Sequence, residues 1–147
     1  MTMGDPFQLK RFVAAQELVF TTALAELRAG RKQTHWIWFI FPQLRALGRS
    51  PTAEFYGIAS LEEARAYLGH PILADRLARV TDAVLAHHDL SAHEVFGSPD
   101  DLKFRSSMTL FDAASNHENA RFRDALGRYF GGAPDKRTLE LLRGQNT

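Results

Sequence analysis

The sequence contains no cysteine, which excludes disulfide bonds and cysteine-based metal sites. A chain of 147 residues can bury roughly two-thirds of the surface that it exposes when unfolded, so its core needs no covalent or metal staple. The N-terminal stretch MTMGDPFQLKR lacks the apolar run of a signal peptide. Because a cysteine-free chain also fits a reducing compartment, we predict a cytoplasmic protein.

Long apolar runs and an excess of one charge are absent as well. The longest purely apolar run, from Trp36 to Phe41, is far shorter than the ~20 residues that span a bilayer, so no membrane association is predicted. The 18 Lys and Arg residues against 17 Asp and Glu residues leave a net charge of +1. This balance provides no general attraction to nucleic acid, and we do not expect nucleic-acid binding.

The histidines and glycines do not complete any metal or phosphate motif. In HEVFG, which begins at His93, Gly97 occupies the position where a zinc-binding helix has its second histidine. The pair Gly131-Gly132 follows a predicted helix and lacks the lysine and hydroxyl residues of a phosphate-binding loop. We therefore predict no metal and no cofactor.

Leucine and alanine, in contrast, are abundant and greatly outnumber valine and isoleucine, which favours helix over strand. Helix-starting signals recur along the chain, and no internal repeat or long linker interrupts them. These signals are Asp5-Pro6, the capping boxes Ser60–Glu63 and Ser91–Glu94, Ser98-Pro99 and Asp135. They predict an all-α fold and a single helical domain over residues 1–147, with an ordered core from about residue 5 to about residue 143.

The stretch GRKQTHWIWFIFPQ, residues 30–43, contains both tryptophans of the chain. As a strand it would be apolar on both faces, and no other stretch offers it a convincing pairing partner. As a helix it would have Thr34 as its N-cap and would end at Pro42. We therefore predict a central helix over residues 35–41, because a helix that is apolar all round is a buried one.

The polar residues before this helix are the first candidate binding site. A helix beginning at His35 would direct free N–H groups and a positive dipole end toward a phosphate or carboxylate, beside Arg31 and Lys32. The alternative is an ordinary solvated loop between two helices. Similarly, Trp36 and Trp38 either stack on a base or a sugar or fill the core.

The stretch DDLKFRSSMTLF, residues 100–111, is the second candidate. On a helix Lys103 faces Ser106 and Ser107, and a desolvated lysine can activate a serine nucleophile. The glycine frame of a nucleophile elbow is absent, however, and the two preceding aspartates tend to keep Lys103 charged. The alternatives for Ser106, Ser107 and Thr109 are close helix packing or hydrogen bonds to a ligand.

Several motifs resemble, in their order, those of a known family. They are DPF-x-L-x-RFV-x-A-Q, ALAELRAGRK-x-x-HW-x-WFIFPQ, LG-x-S, YGIASLEEARAYLGHP, EVFG-x-PDDLKF-x-SSMTLF and RYFGG-x-PD-x-x-TLELL. Together they resemble an uncharacterised, mainly bacterial family of all-helical proteins with a domain of unknown function. Its members are sometimes labelled "calpastatin", which we regard as a misannotation.

The resemblance covers residues 5–142 and implies a compact orthogonal bundle of about seven helices without a sheet. It implies no activity. The positions that match family signatures are Lys32, His35, Trp36, Trp38, Pro42, Gln43, Ser106, Ser107, Met108, Thr109 and Phe111. One position, Phe104, departs from the aliphatic residue expected there, which affects packing rather than chemistry.

We therefore predict a pocket between the helix over residues 35–41 and the helix over residues 99–114, for an anionic, nucleotide-like or phosphorylated small ligand. The predicted ligand-binding residues are Arg31, Lys32, His35, Trp36, Trp38, Gln43, Ser106, Ser107 and Thr109. If the pocket catalyses a reaction, His35 is the acid/base candidate and hydrolysis or group transfer is the class. The alternative is a non-catalytic protein-interaction module with an apolar groove for a partner helix. The sequence indicates neither an oligomeric state nor whether the protein is an enzyme.

Overall fold

The computed structural model describes residues 4–145. These residues contain nine α-helices and one turn of 3₁₀-helix. The helices are α1 (Lys10–Ala29), α2 (Ile37–Ile40), α3 (Pro51–Phe55), α4 (Leu61–Gly69), α5 (Pro71–Leu85), α6 (Ala92–Phe96), α7 (Asp100–Ala114), α8 (Ala120–Phe130) and α9 (Lys136–Gln145), and the 3₁₀ turn is Arg45–Leu47. Within these residues the only strand-like pairing is an isolated parallel bridge between Leu44 and Ile58. The prediction of an all-α fold without a sheet is confirmed. No helix in this range combines the length and the hydropathy of a membrane span.

Helix α7 lies at the centre of the bundle. It contacts α2, α4, α6, α8 and α9, and nine of its 15 residues are buried. Phe104, the position that departs from the family pattern, packs its ring against Phe41 and Phe96 at centroid distances of 5.0 and 4.6 Å. Because α7 is covered by so many neighbours, its small polar side chains are buried together with its apolar ones.

Helix α5 is the second element of the core, and it packs against α1, α4 and α8. Its apolar residues recur at helical spacing, and the buried ones include Leu73, Leu77, Val80 and Val84. Nearby, the buried side chain of Gln16 donates hydrogen bonds to the hydroxyl of Tyr67 at 3.0 Å and to the carbonyl of Phe39 at 2.7 Å. Burial raises the pKa of Tyr67, so its hydroxyl stays protonated in this network.

Two capping boxes were predicted, and one of them is complete. Ser91 accepts from the N–H of Glu94 at 3.0 Å, and Glu94 accepts from the N–H of Ser91 at 2.9 Å. Ser60 does cap α4 by accepting from the N–H of Glu63 at 3.2 Å. The carboxylate of Glu63, however, accepts from the N–H of Ala59 instead of closing the box. The predicted capping box of Ser60 and Glu63 is therefore wrong in its reciprocal hydrogen bond.

Two helix starts lie later than predicted. Helix α1 begins at Lys10 and not directly after Asp5, because Gln8 has a φ of 53°, which interrupts helical geometry. The carboxylate of Asp5 still accepts from the backbone N–H of Lys10 at 2.9 Å, so it caps this end of the helix from a distance. Helix α7 begins at Asp100, with Pro99 before it and not within its first turn.

Candidate functional site

The segment predicted as a helix over residues 35–41 contains a single helical turn, α2. Trp36, directly before α2, has φ −144° and ψ 6°, outside the helical region. The prediction that Thr34 caps a helix beginning at His35 is therefore wrong. The reason is that Thr34 and Trp36 use their side-chain donors to bind a carboxylate of α1.

That carboxylate belongs to Glu26, which holds the whole polar loop in place. Its Oε1 accepts from the N–H groups of Gln33 and Thr34, at 2.8 and 3.1 Å, and from the indole N–H of Trp36 at 2.9 Å. Its Oε2 accepts from the Thr34 hydroxyl at 2.7 Å. Burial by itself would raise the pKa of Glu26, but these hydrogen bonds outweigh it and lower the pKa to about 2. The N–H groups of Gln33 and Thr34, which directly precede the predicted helix start, thus bind an anion of the protein itself.

We expect Glu26→Gln to lower the free energy of unfolding by about 1–2 kcal/mol at neutral pH, because the amide replaces a charged acceptor. The partly exposed position of Glu26 holds the cost below what its pKa shift alone would indicate. Because the folded-state pKa is lowered from 4.5 to about 2, the contribution is present above about pH 4.5 and is lost as the pH falls toward 2. Urea unfolding of both proteins at neutral and acid pH measures this, and a difference in stability that does not shrink in acid contradicts it.

Lys32 and Lys103 share the carboxylate of Asp100. Lys32 Nζ lies 2.8 Å from Asp100 Oδ2, and Lys103 Nζ lies 3.3 Å from Oδ1. Each ammonium also lies near an indole, with Lys32 5.1 Å from the Trp36 ring centroid and Lys103 5.0 Å from that of Trp38. We call these five residues the two-lysine cluster. Within it, two cations face one carboxylate, which leaves a surplus of positive charge.

The two halves of the two-lysine cluster differ in their access to solvent. The side chain of Lys32 is 7% exposed and Trp36 is fully buried, whereas the side chain of Lys103 is 26% exposed and Trp38 is half-buried. Trp36 therefore belongs to the core. The edge that a ligand can reach is formed by Trp38 and Lys103.

A narrow crevice lies beside this edge, between α2, the C-terminal end of α3 and Lys103 of α7. Its polar lining consists of Gln43 and Lys103, and apolar and aromatic side chains including Trp38 and Tyr56 complete its wall. Its empty volume is about 200 Å³, and a water-sized sphere does not fit inside. A nucleotide therefore cannot enter the crevice, and a ligand at this edge would lie across its mouth.

The remaining residues of the predicted basic loop stay at the surface. Arg31 and His35 are exposed, and within residues 4–145 neither side chain makes a hydrogen bond or an ion pair. They lie on the same loop as Lys32, but their side chains do not join the two-lysine cluster. His35, the predicted acid/base candidate, has no group that orients its ring.

The hydroxyl groups of α7 do not face the crevice. Ser106 donates to the carbonyl of Leu102 at 3.1 Å, and Thr109 donates to that of Arg105 at 2.8 Å, each bonding back one turn. The Ser107 hydroxyl is buried and has no hydrogen-bond partner among the residues that the structure describes. None of the three residues lines the crevice beside Lys103. The structure therefore does not bring these three residues together with the basic loop at the crevice, because Ser106 and Thr109 bond to the backbone of their own helix and Ser107 is buried.

A polar pair that the sequence analysis missed lies at the other end of α7. His117 Nδ1 is 2.5 Å from Asp112 Oδ2, and both residues line a cavity of about 240 Å³. The pair forms because Asn116 and His117 take φ values of 56° and 61°, which turn the chain back over the helix end. The available signal was an aspartate in the apolar run TLFDAA, at a position that α7 buries.

Other depressions, among them two of about 690 and 720 Å³, lie elsewhere on the described surface. Neither is lined by any of the predicted site residues. The volume of a depression therefore does not by itself identify the region that contains the predicted site residues. Within residues 4–145 no group of three or more His, Asp or Glu side chains is placed to hold a metal ion.

These observations define an all-α protein with a central, densely buried helix and a partly exposed lysine–tryptophan edge. The chain belongs to the family described as "Protein of unknown function (DUF1810)", whose family model matches residues 6–142. The family membership that the motifs predicted is thereby confirmed.

Among solved structures, the chain is similar to that of the conserved hypothetical protein Rv1873 from Mycobacterium tuberculosis. The identity is 55% and the TM-score is 0.92, and the match covers 95% of this chain and 99% of the other. A comparison with curated proteins gives no match. The comparisons thus support the fold and the family.

Proposed function

We propose that the protein is a cytoplasmic ligand-binding domain that recognises the anionic group of a phosphorylated or nucleotide-like small molecule at the two-lysine cluster. The observation that carries the proposal is that Lys32 and Lys103 share the single carboxylate of Asp100. The accessible ammonium of Lys103 has three N–H donors, so donors remain for phosphate oxygens after Asp100 is bound. The cytoplasmic location rests on the cysteine-free composition.

The ligand lies at the mouth of the crevice and not within it. Lys103 provides the accessible charge, Gln43 a neutral hydrogen-bonding group and Trp38 an aromatic surface for a base or a sugar. The exposed side chains of Arg31 and His35 extend the basic surface along the preceding loop. The hydroxyls of α7 play no part in this arrangement, because they are turned away from the crevice.

We expect adenosine monophosphate, used as the probe, to quench the fluorescence of the wild-type protein. The chain has two tryptophans, and Trp36 is fully buried, so the quenching should come from Trp38 and disappear in Trp38→Phe.

Isothermal titration should show an affinity about tenfold lower for Lys103→Gln, because this variant lacks the accessible cation. A tenfold loss of affinity corresponds to about 1.4 kcal/mol. At about 100 times its dissociation constant the nucleotide should stabilise the wild type by about 2.7 kcal/mol.

Lys136→Gln is the matched control, since it removes one positive charge from an exposed position at the start of α9. Its affinity for the nucleotide should equal that of the wild type. Equal binding by wild type and Lys103→Gln would show that the cluster is not the site. No binding of adenosine monophosphate, a sugar phosphate or inorganic phosphate to the wild type would overturn the proposal.

The alternative, a protein-interaction module with an apolar groove, has weaker support. Within the described part of the chain, the exposed large apolar side chains are Leu18, Phe55, Ile72 and Leu102. They lie on four different helices, α1, α3, α5 and α7, and only Phe55 lines one of the depressions described above. This dispersal favours the ligand-binding proposal.

A further inference from the structure

A depression of about 340 Å³ lies between α1 and α5, and it shares no residue with the two-lysine cluster. Its lining consists of Arg28 of α1 and of Arg79, Asp82, Ala83 and Ala86 of α5. The two alanines are small, so the three charged side chains determine the chemistry of the depression. A space of this size is sufficient for a small molecule.

Arg28 is a cation without a counter-ion in this depression. It lies in the last turn of α1, and its side chain is exposed. Among residues 4–145 its guanidinium makes neither a hydrogen bond nor an ion pair. The five N–H donors of the guanidinium are therefore available to an anion that arrives from solvent.

Arg79 is the second cation, and its own ion pair is weak. Its Nη1 lies 3.9 Å from Oδ2 of Asp75, and the two side chains are 50% and 67% exposed. An exposed pair at this distance contributes little, so the guanidinium remains able to bind another anion. Its Cζ lies 5.2 Å from the ring centroid of Phe20, which belongs to α1. The side chain of Arg79 thus extends from α5 toward the helix that carries Arg28.

Asp82, the acidic residue of the lining, is already bound by a cation. Arg121 of α8 donates to both carboxylate oxygens, from Nε to Oδ1 at 2.6 Å and from Nη2 to Oδ2 at 3.2 Å. Arg121 does not itself line the depression. The negative charge of Asp82 is therefore neutralised from outside, and the lining retains the positive charges of Arg28 and Arg79.

The carbonyl oxygens at the C-terminal ends of α1 and α5 would repel an anion if they were free. Two of them are covered by side chains. The carbonyl oxygen of Leu27 lies 2.6 Å from Nε2 of His87, and that of Leu85 accepts from Nη1 of Arg128. These hydrogen bonds reduce the negative potential at the helix ends beside the depression.

We propose that this depression binds a small ligand through two adjacent phosphate groups, as in a diphosphate. Two arginines on two helices match two anionic groups of one ligand, and a guanidinium can bind phosphate oxygens through two parallel hydrogen bonds. One phosphate group pairs with Arg28 and the other with Arg79. The site is separate from the two-lysine cluster and does not rest on the function proposed there.

Inorganic pyrophosphate and inorganic phosphate are the probes, and isothermal titration of the full-length Lys103→Gln protein excludes the accessible cation of the two-lysine cluster. Pyrophosphate should bind at least about tenfold more tightly than phosphate, because it engages both arginines. Arg28→Gln and Arg79→Gln, introduced one at a time, should each weaken pyrophosphate binding about tenfold. Adenosine diphosphate should bind like pyrophosphate, because no aromatic side chain lines the depression.

Asp82→Asn should have the opposite effect. It removes the negative charge from the lining and leaves the charge of Arg121 without a partner at its edge. The affinity for pyrophosphate should therefore rise about two- to fivefold. A gain in affinity cannot result from loss of the folded structure, and an unchanged or lower affinity would contradict the proposal.

Arg143→Gln is the matched control, because Arg143, like Arg28, is an exposed arginine in the last turn of a helix. It should leave pyrophosphate binding unchanged. No binding of pyrophosphate to the Lys103→Gln protein would overturn the proposal. Equal affinities of the Arg28→Gln, Arg79→Gln and Arg143→Gln variants would overturn it as well.

Discussion

Replacement of Arg11 by methionine is expected to lower the free energy of unfolding by about 3–5 kcal/mol. Arg11 lies in the first turn of α1, and its side chain is only 8% exposed. Its guanidinium donates five hydrogen bonds of 2.6–3.0 Å to the carbonyl oxygens of Phe7, Gln8, Phe55 and Gly57 and to the carboxylate of Glu63. One side chain thereby joins the N-terminal segment, α1, the end of α3 and α4.

The large effect follows from what the substitution leaves behind. Glu63 is 1% exposed, and without Arg11 its carboxylate is buried with no neutralising cation. Removal of one partner of a buried ion pair costs far more than removal of both. The double variant Arg11→Met/Glu63→Met should therefore be more stable than Arg11→Met alone, and a double-mutant cycle yields the coupling. Arg11→Lys should lose less, because it keeps the charge but not the five donors.

Urea unfolding followed by circular dichroism measures these differences. Arg137→Met is the matched control, because Arg137 and Glu140 form an exposed pair at 3.7 Å. Such a pair contributes little, so the control should lie within about 0.5 kcal/mol of the wild type. A loss in Arg11→Met no larger than that of Arg137→Met would contradict the assigned role of Arg11.

Gly57→Ala is expected to lower the free energy of unfolding by about 3 kcal/mol. A Cβ atom at this position would lie 2.4 Å from the Cα of Arg45 and 2.9 Å from the carbonyl oxygen of Ala53. Both are backbone atoms and cannot move aside as the end of a flexible side chain would. Gly57 directly precedes Ile58, which forms the parallel bridge with Leu44. The N–H of Ile58 donates to the carbonyl of Gln43 at 2.9 Å. The substitution should therefore also displace the segment around Gln43, which lines the crevice.

Gly127→Ala provides a control of opposite sign. Gly127 lies within α8, and a Cβ atom there would meet no atom of the described residues within 4 Å, apart from its chain neighbours and the backbone of its own helix. Because alanine has a higher helix propensity than glycine, this variant should be more stable than the wild type by about 0.5–1 kcal/mol. Thermal unfolding of the two variants and the wild type gives the order directly. A Gly57→Ala protein as stable as the wild type would show that the backbone there adjusts at little cost.

The helical architecture could be predicted because its signals act over a few residues. The apolar stripe of α5, the capping box of Ser91 and Glu94 and the leucine- and alanine-rich composition are local properties of the backbone and its nearest side chains. Pro42 likewise marked the end of α2 correctly to within a residue or two. The start of α2 could not be predicted, because it depends on Glu26, which lies on another helix.

The candidate site was only half predictable for the same reason. Residue type and spacing singled out Lys32 and Trp38, and the family resemblance added Gln43. The aspartates before Lys103 were expected to keep it charged, but no local signal showed that Asp100 also binds Lys32. Likewise, no local pattern shows that Asp112 and His117 face a cavity closed by α8 and α9.

By itself, the sequence determined that the chain is helical, where most of its helices lie and which aromatic and basic residues are concentrated near residues 31–43. Only the tertiary structure decided which charge meets which partner. In the folded protein the N–H groups of Gln33 and Thr34 bind Glu26, and Arg11 pairs with Glu63. The hydroxyls of α7 face away from the crevice. Helix formation depends on interactions within a turn or two, whereas ion pairs and cavities form between residues that only the packing of whole helices brings together.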